Sequence, residues 1–322
     1  MRILTGIQAS GKLHIGNYFG AMKPMIELQE SSELFTFIAN YHSLTTSKNA
    51  KLLKQLTMDA AIDYLSLGID PNKTTFWVQS DVPQVLELYW ILSKFTPMGL
   101  LERAHSYKDK VAKGIPANHA LFSYPVLMAA DILILDTQKV PVGKDQIQHV
   151  EMTRDIAIKF NNEYGKIFTL PEHVVNDSVA TIPGIDGQKM SKSYDNAIDI
   201  FMETEKKLQK RCNKIISSST PMGEPMEYKG CNIYNLASLF LDNNSQIELQ
   251  KRYKSGREGY GHFKKYLKEL IWEEMRDARE KRAYYHDNPD IVRDILSDGA
   301  KKMQKIANDK MAIVRDAVGV LS

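Results

Sequence analysis

Short runs of β-branched and aromatic residues alternate with longer amphipathic stretches over the first two-thirds of the chain. Ile3 to Thr5, Phe35 to Ala39, Thr75 to Val78 and Ile132 to Leu135 read as strands, and segments such as Leu52 to Leu67 and Val85 to Phe95 carry apolar residues at helical spacing. This βαβα succession predicts an α/β fold with a doubly wound parallel sheet, whose ligand crevice lies beyond the carboxyl ends of the strands. Past the turn-rich IPGIDGQ, Ile182 to Gln188, only helical patterns remain, which predicts a second, all-helical domain. The expected divisions are 1–188 for the sheet domain, 189–285 for the helical one, and 286–322 for C-terminal helices packing back on the first. In that last stretch Val292, Ile295, Leu296, Met303, Ile306, Met311, Val314 and Val318 keep helical spacing, and SDGA around Gly299 interrupts them, which predicts two packed helices.

A chain of 322 residues with 43% hydrophobic content is long enough for one large and one small domain with a sizeable core. No run of 18 apolar residues exists and the N-terminus has no signal-peptide pattern, so a soluble, cytoplasmic protein with no membrane segment is expected. Cys212 and Cys231 lack metal-ligand spacing and read as free thiols without a role. A net charge of +3 neither requires nor excludes a nucleic acid partner, so the argument turns local. Lys206, Lys207, Lys210, Arg211 and Lys214 recur at spacings of three and four, along one helix face. Between Lys251 and Arg282, 11 basic residues face 6 acidic ones, interleaved with Tyr253, Tyr260, Phe263, Tyr266 and Trp272. Such a mixture suits phosphate contact and base stacking, and amphipathic core helices produce it equally.

The candidate chemistry starts after the first strand. GIQASGKL, Gly6 to Leu13, fits the phosphate-binding pattern G-x-x-x-x-G-K-[ST] except at Leu13, which has no hydroxyl for Mg²⁺. HIGN, His14 to Asn17, follows at the start of a helix through Tyr18, Met22 and Ile26 that Pro24 kinks or shortens. A helix N-terminus offers unpaired N–H groups to phosphate, His14 and Asn17 add side-chain donors, and Gly16 allows close approach. About 170 residues later KMSKS, Lys189 to Ser193, sets two lysines and two hydroxyls on an arm flanked by Gly184 and Gly187.

HIGN and KMSKS together resemble the two signatures of class I aminoacyl-tRNA synthetases, whose HIGH-like and KMSKS-like motifs jointly bind ATP. TGIQASGKLHIGNYFGAM (Thr5 to Met22), SYPVLMAADIL (Ser123 to Leu133), VPVGKDQIQHVEMTRDIA (Val140 to Ala157) and GQKMSKSYDN (Gly187 to Asn196) are similar, in order, to blocks of the bacterial-type tryptophanyl-tRNA synthetases. The resemblance covers most of the chain. It departs at Leu4, where members of that family often carry an aromatic, and in the brevity of IPGIDGQ, which bears on the adenine contact at Ile182.

The resemblance implies a Rossmann-like catalytic domain, ATP as substrate with Mg²⁺ assisting, L-tryptophan and tRNA(Trp) as partners, and a homodimer. No protein nucleophile and no protein metal site are implied, so catalysis rests on positioning and charge stabilisation. His14, Asn17, Lys189 and Lys192 are the implied catalytic residues. Gln8, Ala9, Ser10, Gly16 and Asn17 would contact ATP, with Gly143, Lys144 and Asp145 at the ribose. Lys110 would be a further phosphate contact; as a residue alone it reads equally as a solvated loop lysine. Ile182, Lys189, Met190, Ser191, Lys192 and Ser193 complete that set. Asp131 stands in the apolar run PVLMAADILIL, where a carboxylate is costly unless bound. Spacing leaves capping, a salt bridge and ligand binding open; the resemblance assigns it to the indole N–H, a group that only donates. Met128, Val140, Val142, Gln146, His42 and Leu4 would complete the tryptophan pocket and the α-amino contacts. The rival readings are a tyrosyl-tRNA synthetase, a non-catalytic RNA-binding paralogue, a P-loop ATPase, which Leu13 disfavours, and a small nucleotidyltransferase, which leaves KMSKS without a purpose.

Overall fold

The computed structural model describes all residues except 10, 46–48, 105, 106, 109–111, 113, 115, 116, 176–181, 222, 321 and 322. Five parallel strands make one sheet: β1 (Arg2–Ile7), β2 (Glu33–Ile38), β3 (Thr74–Val78), β4 (Lys139–Pro141) and β5 (Glu172–Val174), in the order β3-β2-β1-β4-β5. Ile3 aligns with Leu34 on one side and Lys139 on the other, and Leu34 aligns with Thr74. The chain runs from β1 outward through β2 to β3, then returns to the other side of β1 for β4 and β5. The reversal between β1 and β4 opens a crevice at their carboxyl ends, the general ligand position in such sheets. β2 lies inside the sheet between β3 and β1, and Leu34 through Ile38 are all buried, as a strand covered on both faces demands.

Contacts group the chain into two compact units. One comprises Met1–Gly11, Glu27–Asn176 and Tyr285–Ser322, and contains the sheet; the other comprises Lys12–Ile26 and Asp177–Tyr284. HIGN therefore groups with KMSKS, and the C-terminal segment with the sheet, where the pattern along the chain placed a boundary at 188. Among the described residues no strand follows β5, and no helix is long and apolar enough to cross a membrane.

Two expectations fail locally. Ile132 and Leu133 end the helix His119–Leu133, and the fourth strand lies further on at Lys139–Pro141. That helix is buried through Val126 and Ala129 to Leu133, with Ile134 and Leu135 buried after it, and a short apolar run does not distinguish a buried helix from a buried strand. The C-terminal stretch is one helix, Pro289–Val318, opened by Pro289 and closed by Gly319 in the left-handed region at φ 76°. Gly299 does not break it. A Cβ there would stand 1.9 Å from the Phe76 carbonyl oxygen, so the glycine exists to let helix and β3 touch. That close approach offsets the roughly 1 kcal/mol a helix-interior glycine costs.

In the second unit the helices Glu205–Asn213, Asn232–Ser238, Asn243–Ser255 and Tyr260–Glu274 enclose a core of Leu208, Cys212, Leu249, Tyr253, Phe263 and Leu267. Tyr253 is fully buried and stacks on Phe263 at 3.9 Å, so these two aromatics are core and not base-stacking platforms. Burial pushes the Cys212 thiol up to about 12, which leaves it inert.

Candidate functional site

In the sheet unit, polar groups gather beyond the carboxyl ends of the strands. Asp131 lies in the last turn of the helix His119–Leu133 and is buried. Its Oδ2 accepts from His42 Nε2 at 2.9 Å, and Gln79 Nε2 donates to Oδ1 and Oδ2 at 3.0 Å and 2.8 Å. A carboxylate only accepts, so the His42 proton facing it sits on Nε2. Burial pushes the Asp131 carboxyl above the usual carboxylate range, while the His42 and Gln79 donors pull it back. Beside it, Gln146 Nε2 donates to Asp145 at 3.0 Å, which turns its Oε1 toward His149 Nδ1 at 2.8 Å. His149 thus carries its proton on Nδ1, and its Nε2 accepts the Tyr124 hydroxyl at 2.8 Å. The Tyr124 ring meets the His42 ring edge-on at 6.2 Å, which joins the two polar clusters.

Leu4 and Val140 are buried in the sheet core, and Met128 and Val142 pack against it half-buried. Gly143 precedes the helical turn Lys144–Gln146, and a Cβ on it would stand 2.7 Å from an Asp145 carboxylate oxygen. Gln8 and Ala9 follow β1 directly, exposed and buried respectively. Ser10 and Lys110 lie outside the described residues.

Gln79, Tyr124 and His149 were missed by the sequence reading. Tyr124, Met128 and Asp131 stand at i, i+4 and i+7, one helix face, which was a usable signal for Tyr124. Gln79 follows the last residue of β3, the crevice end of a strand in this class of sheet. His149 had no comparable signal.

The second unit builds the other cluster. His14 caps the helical turn Ile15–Asn17: its Nδ1 accepts the Asn17 N–H at 3.2 Å, and Asn17 Oδ1 accepts the His14 N–H at 3.2 Å. The turn widens into a π-helical stretch, Tyr18–Met22, and resumes as Lys23–Glu27. Lys23 N–H reaches Tyr18, five residues back, at the turn where Pro24 brings no N–H of its own. Leu13 and Ile15 are bonded by backbone to Ile200 and Ile198, so this segment pairs with the chain that follows KMSKS.

Gly16 N–H donates to Met190 Sδ at 3.3 Å, which ties the two motifs together, and a Cβ on Gly16 would stand 3.3 Å from Met190 Cβ. Ile182, buried, accepts the Met190 N–H at 2.9 Å. Asn196, another residue the sequence reading missed, organises the loop. Its Oδ1 accepts the Ser191 N–H at 2.7 Å, and its Nδ2 donates to Asp186 at 2.8 Å and the Lys189 carbonyl at 3.1 Å. Ser191 and Ser193 bond each other through their hydroxyls at 2.8 Å. Arg211 leaves the basic face predicted for it: Nε donates to the Ala197 carbonyl at 2.7 Å and Nη2 to the Asp195 carbonyl at 2.6 Å.

Burial and then the Lys192 charge push His14 down to about 4. It is therefore neutral at pH 7, and with Nδ1 accepting, its proton is on Nε2, a neutral donor. Between pH 4 and 6.5 the unfolded chain binds a proton that the folded His14 refuses. Stability should rise with pH across that window and gain nothing from His14 above it. Denaturant melts at several pH values, with His14→Asn lacking this part of the slope, check the expectation.

A neutral donor and a cationic arm suit a polyphosphate, and a buried carboxylate among apolar walls suits a large ring bearing one N–H. Known proteins agree. Residues 1–275 match the family described as tRNA synthetases class I (W and Y). The tryptophan–tRNA ligase of Campylobacter jejuni (strain RM1221) is 59% identical over 320 residues, 99% of this chain and 100% of that one. That of Fusobacterium nucleatum subsp. nucleatum is 52% identical over 321 residues, 99% of this chain and 98% of that one. The crystal structure of the Campylobacter jejuni tryptophanyl-tRNA synthetase complexed with ADP and tryptophan is 60% identical, with a TM-score of 0.95 over 99% of this chain and 100% of that one. With similarity of this extent over nearly the whole chain, the chain belongs to the class I tRNA synthetases for tryptophan and tyrosine, and within them to the tryptophan–tRNA ligases.

Proposed function

We propose that the chain makes tryptophanyl-tRNA(Trp) in two steps. A carboxylate oxygen of L-tryptophan attacks the α-phosphorus of ATP; tryptophanyl-adenylate forms and pyrophosphate leaves. The 3′-terminal ribose hydroxyl of tRNA(Trp) then attacks the adenylate carbonyl, and AMP leaves. The substrates supply both nucleophiles, so the protein's work is to orient them and to stabilise charge on phosphorus.

Buried Asp131, with an acceptor position left beside His42 and Gln79, is the observation that carries this reading. It accepts the indole N–H, while Leu4, Met128, Val140 and Val142 wall the ring and His42 and Gln146 serve the polar end of the amino acid. His14 Nε2–H, Asn17, Lys189 and Lys192 act on the phosphates, and Ser191 and Ser193 stand beside the two lysines. Gln8, Ala9, Ser10, Gly16, Ile182, Met190 and Lys110 serve ATP, and Gly143, Lys144 and Asp145 the ribose. Among the described residues no three His, Cys, Asp or Glu side chains converge as a metal cage. Mg²⁺ fits as a companion of the ATP phosphates, whose own oxygens suit it. Pyrophosphate exchange with each amino acid tests the reading. Tryptophan-dependent exchange is expected; exchange with tyrosine alone overturns it, and no exchange at all would leave an RNA-binding role.

For tRNA, the exposed Lys206, Lys207, Lys210 and Lys214 supply a basic face on the anticodon side. Lys210→Glu should weaken tRNA charging several-fold and spare pyrophosphate exchange; equal loss of both would make the patch structural. For a homodimer, the helix Gln84–Ser93 offers Trp90, 77% exposed, with Leu86 one turn before it. An indole left open beside a leucine is typical of an interface anchor. Trp90→Glu should sediment as a monomer, and an unchanged dimer removes this surface. The cytoplasm, where tRNA is charged, is the proposed location.

A further inference from the structure

Gln79 opens the 3₁₀ turn Gln79–Asp81 directly after β3 and is 1% exposed. A buried amide is costly unless both ends are bonded, and here both are. Its Oε1 accepts the Tyr41 N–H at 3.1 Å, and its Nε2 bridges both oxygens of Asp131. Chemistry fixes the amide's orientation: a flip would aim the NH₂ at a backbone N–H and the carbonyl at a carboxylate, two repulsions in place of two bonds. A reciprocal pair next door secures the same loops. Ser80 N–H donates to Asn40 Oδ1 at 3.1 Å, and Asn40 Nδ2 donates to Ser80 Oγ at 2.8 Å.

An ionised carboxylate has about four lone-pair sites. Oδ2 uses two, on His42 and Gln79, whereas Oδ1 meets Gln79 alone. One site on Oδ1 remains. The torsion that aims it is soft, so without the Gln79 bridge the carboxylate would rotate about its His42 bond.

We propose that Gln79 is a positioning residue for tryptophan selection, bridging the Asp131 carboxylate so that one Oδ1 lone pair stays aimed at the indole N–H. This rests on Asp131 as the indole acceptor. Gln79 acts through Asp131 and touches no reacting atom.

The test compares L-tryptophan with β-(3-benzothienyl)-L-alanine, the analogue with sulfur in place of the ring N–H, in pyrophosphate exchange. Gln79→Met should raise the KM for tryptophan roughly 10- to 100-fold, the worth of one hydrogen bond to a charged group. The KM for ATP, and the kinetics with the sulfur analogue, should stay as in the wild type, so the preference for tryptophan collapses. Gln79→Glu serves if the methionine variant fails to fold, because it keeps the shape and the Tyr41 bond. Its introduced carboxyl donates only when protonated, so the preference should persist at low pH and fall as pH rises, which a merely structural role would not produce. Equal losses with both substrates, or an unchanged preference in both variants, overturns the proposal. A wild-type protein indifferent to the N–H overturns Asp131 as acceptor, and this role with it.

Discussion

Asp131→Asn should lower kcat/KM for tryptophan in pyrophosphate exchange by about two to three decades, with the KM for ATP little changed. The substitution is nearly isosteric, so the loss is chemical. Three donors converge on this group if the indole binds as proposed: His42 Nε2–H, the Gln79 amide and the ring N–H. A carboxylate accepts all three. An asparagine offers one oxygen, which accepts two of the three, and turns its NH₂ toward the remaining one, so one buried donor goes unpaired against a like partner. Asparagine with wild-type kcat/KM would remove Asp131 from the site.

Lys192→Ala should slow adenylate formation by about two decades and leave tryptophan binding unchanged, the expected worth of one preorganised charged donor in the transition state. Exchange rates and calorimetric tryptophan binding separate the two effects. A second signature follows from the neighbouring imidazole. Lys192 helps hold His14 at about 4. Without that charge His14 protonates at higher pH, so the acid limb of the rate profile should move upward. A variant with normal exchange would leave Lys189 as the motif's working cation.

Much of this was legible along the chain. The first three strands appear within three residues of their expected limits, because each is a short apolar run bounded by turns. HIGN and KMSKS stood out as well, by donors and cations at fixed spacing, and the fold brings Gly16 of one against Met190 of the other. What misled was burial on all sides: Ile132 and Leu133 belong to a helix whose faces are covered, which erases the period that separates helix from strand. Gly299 misled in the other direction. It reads as a break, and only the nearness of the Phe76 carbonyl explains it.

The sequence alone determined the class of sheet, the two strings HIGN and KMSKS and the oddity of an aspartate in an apolar run, because periodicity and residue type are local properties. Tertiary structure decided the partners. Gln79 and His42 are 52 and 89 residues from Asp131, and Met190 is 174 from Gly16, and no local pattern encodes such pairings. It also removed Arg211 from the basic face and sent Tyr253 and Phe263 into the core. A side chain's chemistry is written in its identity, but whether that chemistry is free, bonded or buried depends on what the fold brings against it. GIQASGKL is the plainest case. The string resembles a P-loop, yet Leu13 is held by the backbone of Ile200, and the cation beside His14 is Lys192, 180 positions beyond Lys12.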